Sequence, residues 1–123
     1  MVLFVCLDDD NGIMFNNRRQ SKDYIVRKRI LELVGEKKLW MSEYSLGQFE
    51  ENVVLCQNKE EAECVFAENP DDIVGLEFDK VIVYRWNRKY PADKTLTIEG
   101  KTLISTYEFV GNSHEKITEE IYQ

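Results

Sequence analysis

Histidine is almost missing from this sequence: His114 is the only one. That excludes a zinc centre built on several imidazoles. The three cysteines, Cys6, Cys56 and Cys64, share no CxxC or Cys/His spacing that would replace it, so no metal site is expected. Each cysteine lies in an apolar run, and buried, reduced thiols are the expectation. Long apolar runs are missing as well. Nothing approaches the ~20 residues of a membrane-spanning helix. The opening MVLFVCLDDD has no basic residue before its short apolar run and three aspartates after it, which reads as a core strand rather than a secretory leader. A cytoplasmic location without a membrane partner follows as an expectation. Basic charge is in deficit too, with 16 Lys and Arg against 23 Asp and Glu, for a net charge of -7. The averaged field repels phosphate backbones, so nucleic acid is not expected as a partner. No nucleophile elbow, P-loop, HExxH or EF-hand spacing occurs, and no internal repeat or linker is visible.

What is present suffices for one core. With 43% hydrophobic residues in 123, a single domain spanning 1–123 is expected. Val2 to Leu7 is continuously apolar, as in a strand buried on both faces. It breaks at Asp8-Asp9-Asp10-Asn11-Gly12, a turn cluster, and a polar loop is expected from Asn16 to Gln20. Ser21 is the expected cap of a helix with Asp23 in its first turn, Val26, Ile30, Leu33 and Val34 as its apolar stripe, and Gly35 past its end. Arg27, Lys28 and Arg29 read as a solvated face. Lys38 to Met41 reads as a strand, Ser42 as the cap of a short helix to Phe49, and Asn52 to Cys56 and Cys64 to Ala67 as further strands. Later strands are expected at Lys80 to Trp86, Thr95 to Ile98 and Thr102 to Phe109. His114 to Tyr122 fits helix spacing and strand alternation alike. Helices early and strands late predict an α/β fold with one mixed sheet and flanking helices.

The order of these segments resembles a shortened dihydrofolate reductase. LFVCLDDDNGIMFNN is similar to that family's first strand and following loop, QSKDYIVRKRILEL to its first helix, and KKLWMSEYSLGQFEENVVLC to the next strand, helix and strand. EAECVFAENP falls where the family has the strand that ends in a glycine pair. FDKVIVYRWNRKYPADKTLTI, LISTYEFV and ITEEIY are similar to its closing strands. The chain also resembles a small bacterial family with the same MFN-RRQS, WNR-YPAD and SHEKIT segments, some of whose members carry the label ribonuclease Z. A zinc-dependent ribonuclease of that kind needs a histidine cluster that one histidine cannot supply.

The resemblance implies a catalytic role for Asp23, at the family's substrate-binding carboxylate, and NADPH as the cofactor of a reductase acting on a pterin or related heterocycle. It also exposes three departures. Glu43 stands where the phosphate-binding helix carries a basic residue, Glu50 where an arginine holds the folate tail, and Glu68-Asn69 where the glycine pair admits the pyrophosphate. Carboxylates at anion sites weaken anion binding. The favoured expectation is therefore a ligand- or partner-binding protein of reductase-like fold, without a cofactor and without reductase activity. Its candidate site is the cleft between residues 9–20 and Asp23, where Asn16, Arg18 and Arg19 would grip an anionic ligand or an acidic partner. Trp86 and Arg88, with Asn87 and Tyr90, form a second candidate cluster for stacking on a ring.

Overall fold

A computed structural model describes all residues, 1–123. The strands are β1 (Val2–Leu7), β2 (Gly12–Phe15), β3 (Arg18–Arg19), β4 (Leu39–Trp40), β5 (Cys64–Phe66), β6 (Lys80–Arg85), β7 (Lys94–Thr95), β8 (Leu103–Phe109) and β9 (Ile117–Tyr122). The helices are α1 (Tyr24–Val34) and α2 (Glu43–Leu46). Six strands form the main sheet in the order β4-β5-β1-β6-β9-β8, and β3-β2-β7 form a small second sheet. β1 pairs in parallel with β5 and β6, and β9 runs antiparallel to β6 and β8. This is the mixed α/β sheet that the order of segments predicts.

β1 occupies the centre because its side chains are apolar on both sides. Phe4 packs with α1 residues Val26, Ile30 and Val34 in one core layer, and Leu3, Val5 and Leu7 pack with Ile13, Met14 and Val65 in the other. No helix is long and apolar enough to cross a membrane.

Several expectations shift. The α1 cap is Asp23, whose carboxylate accepts from the Ile25 amide at 2.9 Å, so Ser21 lies outside the helix. Arg27 is not solvated: it is buried at 5% exposure, with Nε donating to Glu51 at 2.7 Å. Ser42 does cap α2, but that helix ends at Leu46. Asn52 to Cys56 forms no strand beyond a single bridge from Leu55 to Leu39, because Val54 points into solvent. Of Thr95 to Ile98 only Thr95 joins a strand, in the small sheet. The ambiguous last segment is strand β9. The cysteines are free, with Cys64 buried and Cys6 and Cys56 half-buried.

The β6–β9 pairing carries one buried charge. Glu119 lies at 2% exposure and accepts from Arg29 Nε at 2.9 Å and from the Tyr84 hydroxyl at 2.9 Å. Burial, reinforced by the Glu119 charge, pushes the Tyr84 phenol upward, so it remains a donor. Tyr84→Phe is expected to cost about 1.5 to 2 kcal/mol in urea unfolding, as one hydrogen bond to a charged acceptor is lost while Arg29 still neutralises Glu119. A change below 0.5 kcal/mol, taken as an order of magnitude, would show that this bond adds nothing over water.

Candidate functional site

The parallel strands β5, β1 and β6 end side by side, and the residues just past their carboxyl ends are Glu68, Asp8 and Trp86. In open α/β sheets ligands gather outside this edge. Here two of the three positions are filled by carboxylates that already have partners.

Asp8 is 1% exposed and accepts four hydrogen bonds: from the Asp10 and Gly12 amides at 2.9 and 2.7 Å, from Gln20 Nε2 at 2.9 Å and from the Tyr90 amide at 3.2 Å. Burial alone would raise its pKa, and the backbone and amide donors reverse that, leaving it below the ordinary carboxylate value. A Cβ on Gly12 would lie 2.6 Å from Asp8 Oδ2, so only glycine admits this approach. The carboxylate fastens the β1–β2 turn to the segment after β6.

Glu68 is held from two sides. Arg19 Nε and Nη2 donate to its two oxygens at 2.8 and 3.2 Å, and Gln48 Nε2 donates to Oε2 at 2.9 Å. Arg19 also stacks on the Tyr44 ring at 4.2 Å and donates from Nη2 to the Tyr44 carbonyl at 3.0 Å. The strand β3 is thereby latched across the end of β5 onto α2. Beside the latch remains a recess of about 250 Å3 lined by Met14, Asn17, Ser42, Tyr44, Glu68, Asn69 and Asp72. Its size falls below the roughly 300 to 1,000 Å3 of ligand pockets, and the carboxylates of Glu68 and Asp72 line it. These residues do not fit a dinucleotide.

On the other side of β3 opens a recess of about 560 Å3, lined by Phe15, Asn16, Arg18, Arg19, Gln20, Tyr90 and Pro91. Asn16 belongs to a two-residue turn, Asn16-Asn17, with φ of 51° and 58°, which joins Phe15 to its partner Arg18. Asparagine tolerates that left-handed backbone, which is why the expected polar loop is a tight hairpin. The Asn16 amide donates to Asp93 at 3.1 Å. Gln20 Oε1 is buried with no donor facing it. Arg88 lies over the Tyr90 ring, its guanidinium carbon 5.5 Å from the centroid.

The sequence candidates therefore separate. Asn16, Arg18 and Arg19 meet in one recess, with Arg88 close by on Tyr90. Trp86 is buried at 3% exposure and stacks on His114 at 4.6 Å, so it offers no ring to a ligand. Asp23 is 2% exposed and lines none of these recesses. Its oxygens accept from the Ile25, Asn112 and Ser113 amides and from the Ser113 hydroxyl, which hold its pKa below the ordinary value against the effect of burial. It binds the β8–β9 loop to α1 instead of facing a substrate. Burial pushes the Cys6 thiol well up, with Glu68 and Asp23 adding to the rise, so it supplies no thiolate.

The reading of the residues missed His114 and Tyr90 as a pair. Tyr90 Oη lies 2.9 Å from His114 Nε2, and His114 Nδ1 lies 2.8 Å from Ser113 Oγ and 3.5 Å from Asp23 Oδ2. No spacing in the sequence signals contacts across 24 and 91 positions.

No protein-family model matches this chain, and no curated protein matches it. Among solved structures, dihydrofolate reductase from Enterococcus faecalis, complexed with NADP(H) and RAB-propyl, superposes with a TM-score of 0.72. The match covers 99% of this chain and 94% of that one at 11% identity. The fold is that of dihydrofolate reductase, and at this identity the likeness extends to the fold alone. Nothing in these comparisons supports the ribonuclease label.

Proposed function

We propose that this protein uses a dihydrofolate reductase-like fold to bind a small molecule, not to reduce one, and that its site is the recess beside Arg18. The observation that carries the reading is the latch of Arg19, Gln48 and Glu68 across the end of β5. By the resemblance, Glu68-Asn69 stands where a reductase of this fold has the glycine pair that admits a pyrophosphate, and Glu68 here carries a guanidinium partner. Glu43 at the start of α2 and Asp72 beside the latch add charge of the same sign. Asp23, tied by three backbone amides, has no free face with which to protonate a heterocycle.

The same groups that close one side shape the other. Arg19 is bonded to Glu68, whereas Arg18 has no acidic partner and lines the recess with Asn16, Gln20, Phe15, Tyr90 and Pro91. Four of its seven lining residues, Asn16, Arg18, Arg19 and Gln20, are polar, which suits a polar or anionic small molecule.

Two measurements separate this reading from a working reductase. Millimolar NADPH is expected to leave the thermal midpoint unmoved, and dihydrofolate turnover is expected to stay at background. A cofactor present at 100 times its Kd would stabilise the fold by about 2.7 kcal/mol, a shift of several degrees. Saturable cofactor binding in the micromolar range would establish the reductase reading in place of this one.

A further inference from the structure

The six arginines divide unequally. Arg19, Arg27, Arg29 and Arg85 each pair with a glutamate, whereas Arg18 and Arg88 have no acidic partner. In a chain with seven excess negative charges, two unneutralised guanidinium groups at one place need a reason. Arg18 lines the recess with Tyr90, and Arg88 lies over the Tyr90 ring. Of the nearby acids, Asp93 faces the Asn16 amide, Asp10 faces Lys89 at 3.7 Å and buried Asp8 is taken up by its four donors, while exposed Asp9 donates its amide to the Arg88 carbonyl at 3.1 Å.

Behind Tyr90 the Ser113 hydroxyl lies within reach of His114 Nδ1 at 2.8 Å, the Lys22 carbonyl at 3.0 Å and Asp23 Oδ2 at 3.1 Å. When its one proton goes to the carbonyl or the carboxylate, its oxygen receives from Nδ1–H, Nε2 of the neutral ring is the acceptor, and the Tyr90 hydroxyl donates to it at 2.9 Å. Protonating His114 inverts that bond. Nε2–H becomes the donor, Tyr90 Oη the acceptor, and the Tyr90 proton is free for another acceptor.

Resting on the proposed site, we infer that the recess binds an oxyanion, a carboxylate, phosphate or sulfate group, between Arg18 and the Tyr90 hydroxyl, and that it takes up a proton on His114 as it does so. Asp23, Tyr90 and Arg88 are the charged and titratable groups around His114. Asp23 faces it from the start of α1 at 3.5 Å and is held ionised by its amide donors, Tyr90 faces it at 2.9 Å, and Arg88 lies beyond the Tyr90 ring; Trp86 covers the ring of His114 with an uncharged surface. The neighbouring Glu115 is exposed.

Sulfate is the suitable probe, because it does not titrate between pH 8 and pH 5.5 as phosphate does. Titrated at constant ionic strength and followed by backbone amide NMR, it is expected to shift the Arg18 and Tyr90 amides. Its affinity should rise roughly five- to tenfold from pH 8 to pH 5.5, a coupling of ordinary size. Arg18→Ala should abolish these shifts at both pH values. Tyr90→Phe keeps the ring and should lose the gain between pH 8 and pH 5.5. His114→Asn should bind with no pH dependence beyond the general change in net charge seen in the other variants. If sulfate moves no recess amide, the site and the inference fall together. If it binds at Arg18 with the same pH response in the parent, Tyr90→Phe and His114→Asn proteins, the site stands and the proton coupling is overturned.

Discussion

Replacing Asp23 by alanine is expected to cost about 3 to 5 kcal/mol of folding stability, a large part of the 5 to 15 kcal/mol that a domain of this kind has. The carboxylate is the shared acceptor for the Ile25, Asn112 and Ser113 amides at 2.9, 3.0 and 2.8 Å. A buried amide left without an acceptor costs about 1 to 3 kcal/mol, and the loss of a helix cap alone costs about 1. Alanine does not bring in a substitute, because the space is closed: a Cβ on Gly111 would already lie 2.5 Å from Asp23 Oδ2. Asparagine keeps an oxygen for Ile25 and Asn112 but sets its amide against the Ser113 N–H, so about half the loss is expected. Urea unfolding of the two variants checks this, and a midpoint for Asp23→Ala within error of the parent would mean that the β8–β9 loop does not depend on the carboxylate. The same substitution removes one of the groups behind His114, so the pH dependence of sulfate binding should weaken in any Asp23→Asn protein that remains folded.

Much of the fold is legible in the sequence because it depends on neighbours in the chain. Val2 to Leu7 is apolar throughout and forms the central strand, and Val26, Ile30 and Val34 recur at helical spacing and face the sheet. Where the reading slips, the deciding partner is remote. Ser21 and Asp23 both have cap chemistry, and what selects Asp23 is a pair of amides 89 and 90 residues away. Arg27 looks like part of a solvated basic face until Glu51 reaches it. Trp86 ends a strand beside basic residues, and only the fold places the sole histidine on its face. The candidate site is legible in one respect: Asn16, Arg18 and Arg19 do share a recess. That Arg19 is committed to Glu68 while Arg18 is free is invisible in the sequence, since adjacent strand residues point to opposite sides and their targets lie far along the chain. Glu43 and Glu68 register as departures from the reductase pattern from sequence order alone, but the bonds from Arg19 and Gln48 to Glu68 need the third dimension.

The second large effect belongs to Asp8, and it is expected to show most clearly in acid. Four donors meet on this carboxylate, two from its own turn, one from Gln20 and one from Tyr90, so it ties both walls of the recess to the end of β1. Asp8→Ala leaves those donors unmet at a cost of about 3 kcal/mol or more at neutral pH, and sulfate binding at Arg18 should fall with it. The sign of the pH effect follows from the direction of the shifts. Asp8 and Asp23 both titrate below their ordinary value in the folded chain, so the unfolded chain binds protons first as the pH falls. Their contribution is complete above the unfolded value, near pH 4, and is lost progressively as the pH falls through the lower folded values. The parent should therefore hold its stability down to about pH 4 and lose it steeply below. Asp8→Asn starts lower at pH 7 but lacks one of the two titrations, so its stability should fall less steeply in acid and approach that of the parent. Urea midpoints measured from pH 7 to pH 2.5 decide the matter. Parallel curves for parent and variant would mean that Asp8 titrates alike in both states and that its four hydrogen bonds stabilise the acid form as well as the anion. Because this loss lies below pH 4 and the sulfate response is sought between pH 8 and pH 5.5, a gain in anion affinity over that interval reports on His114 and Tyr90 within an intact fold.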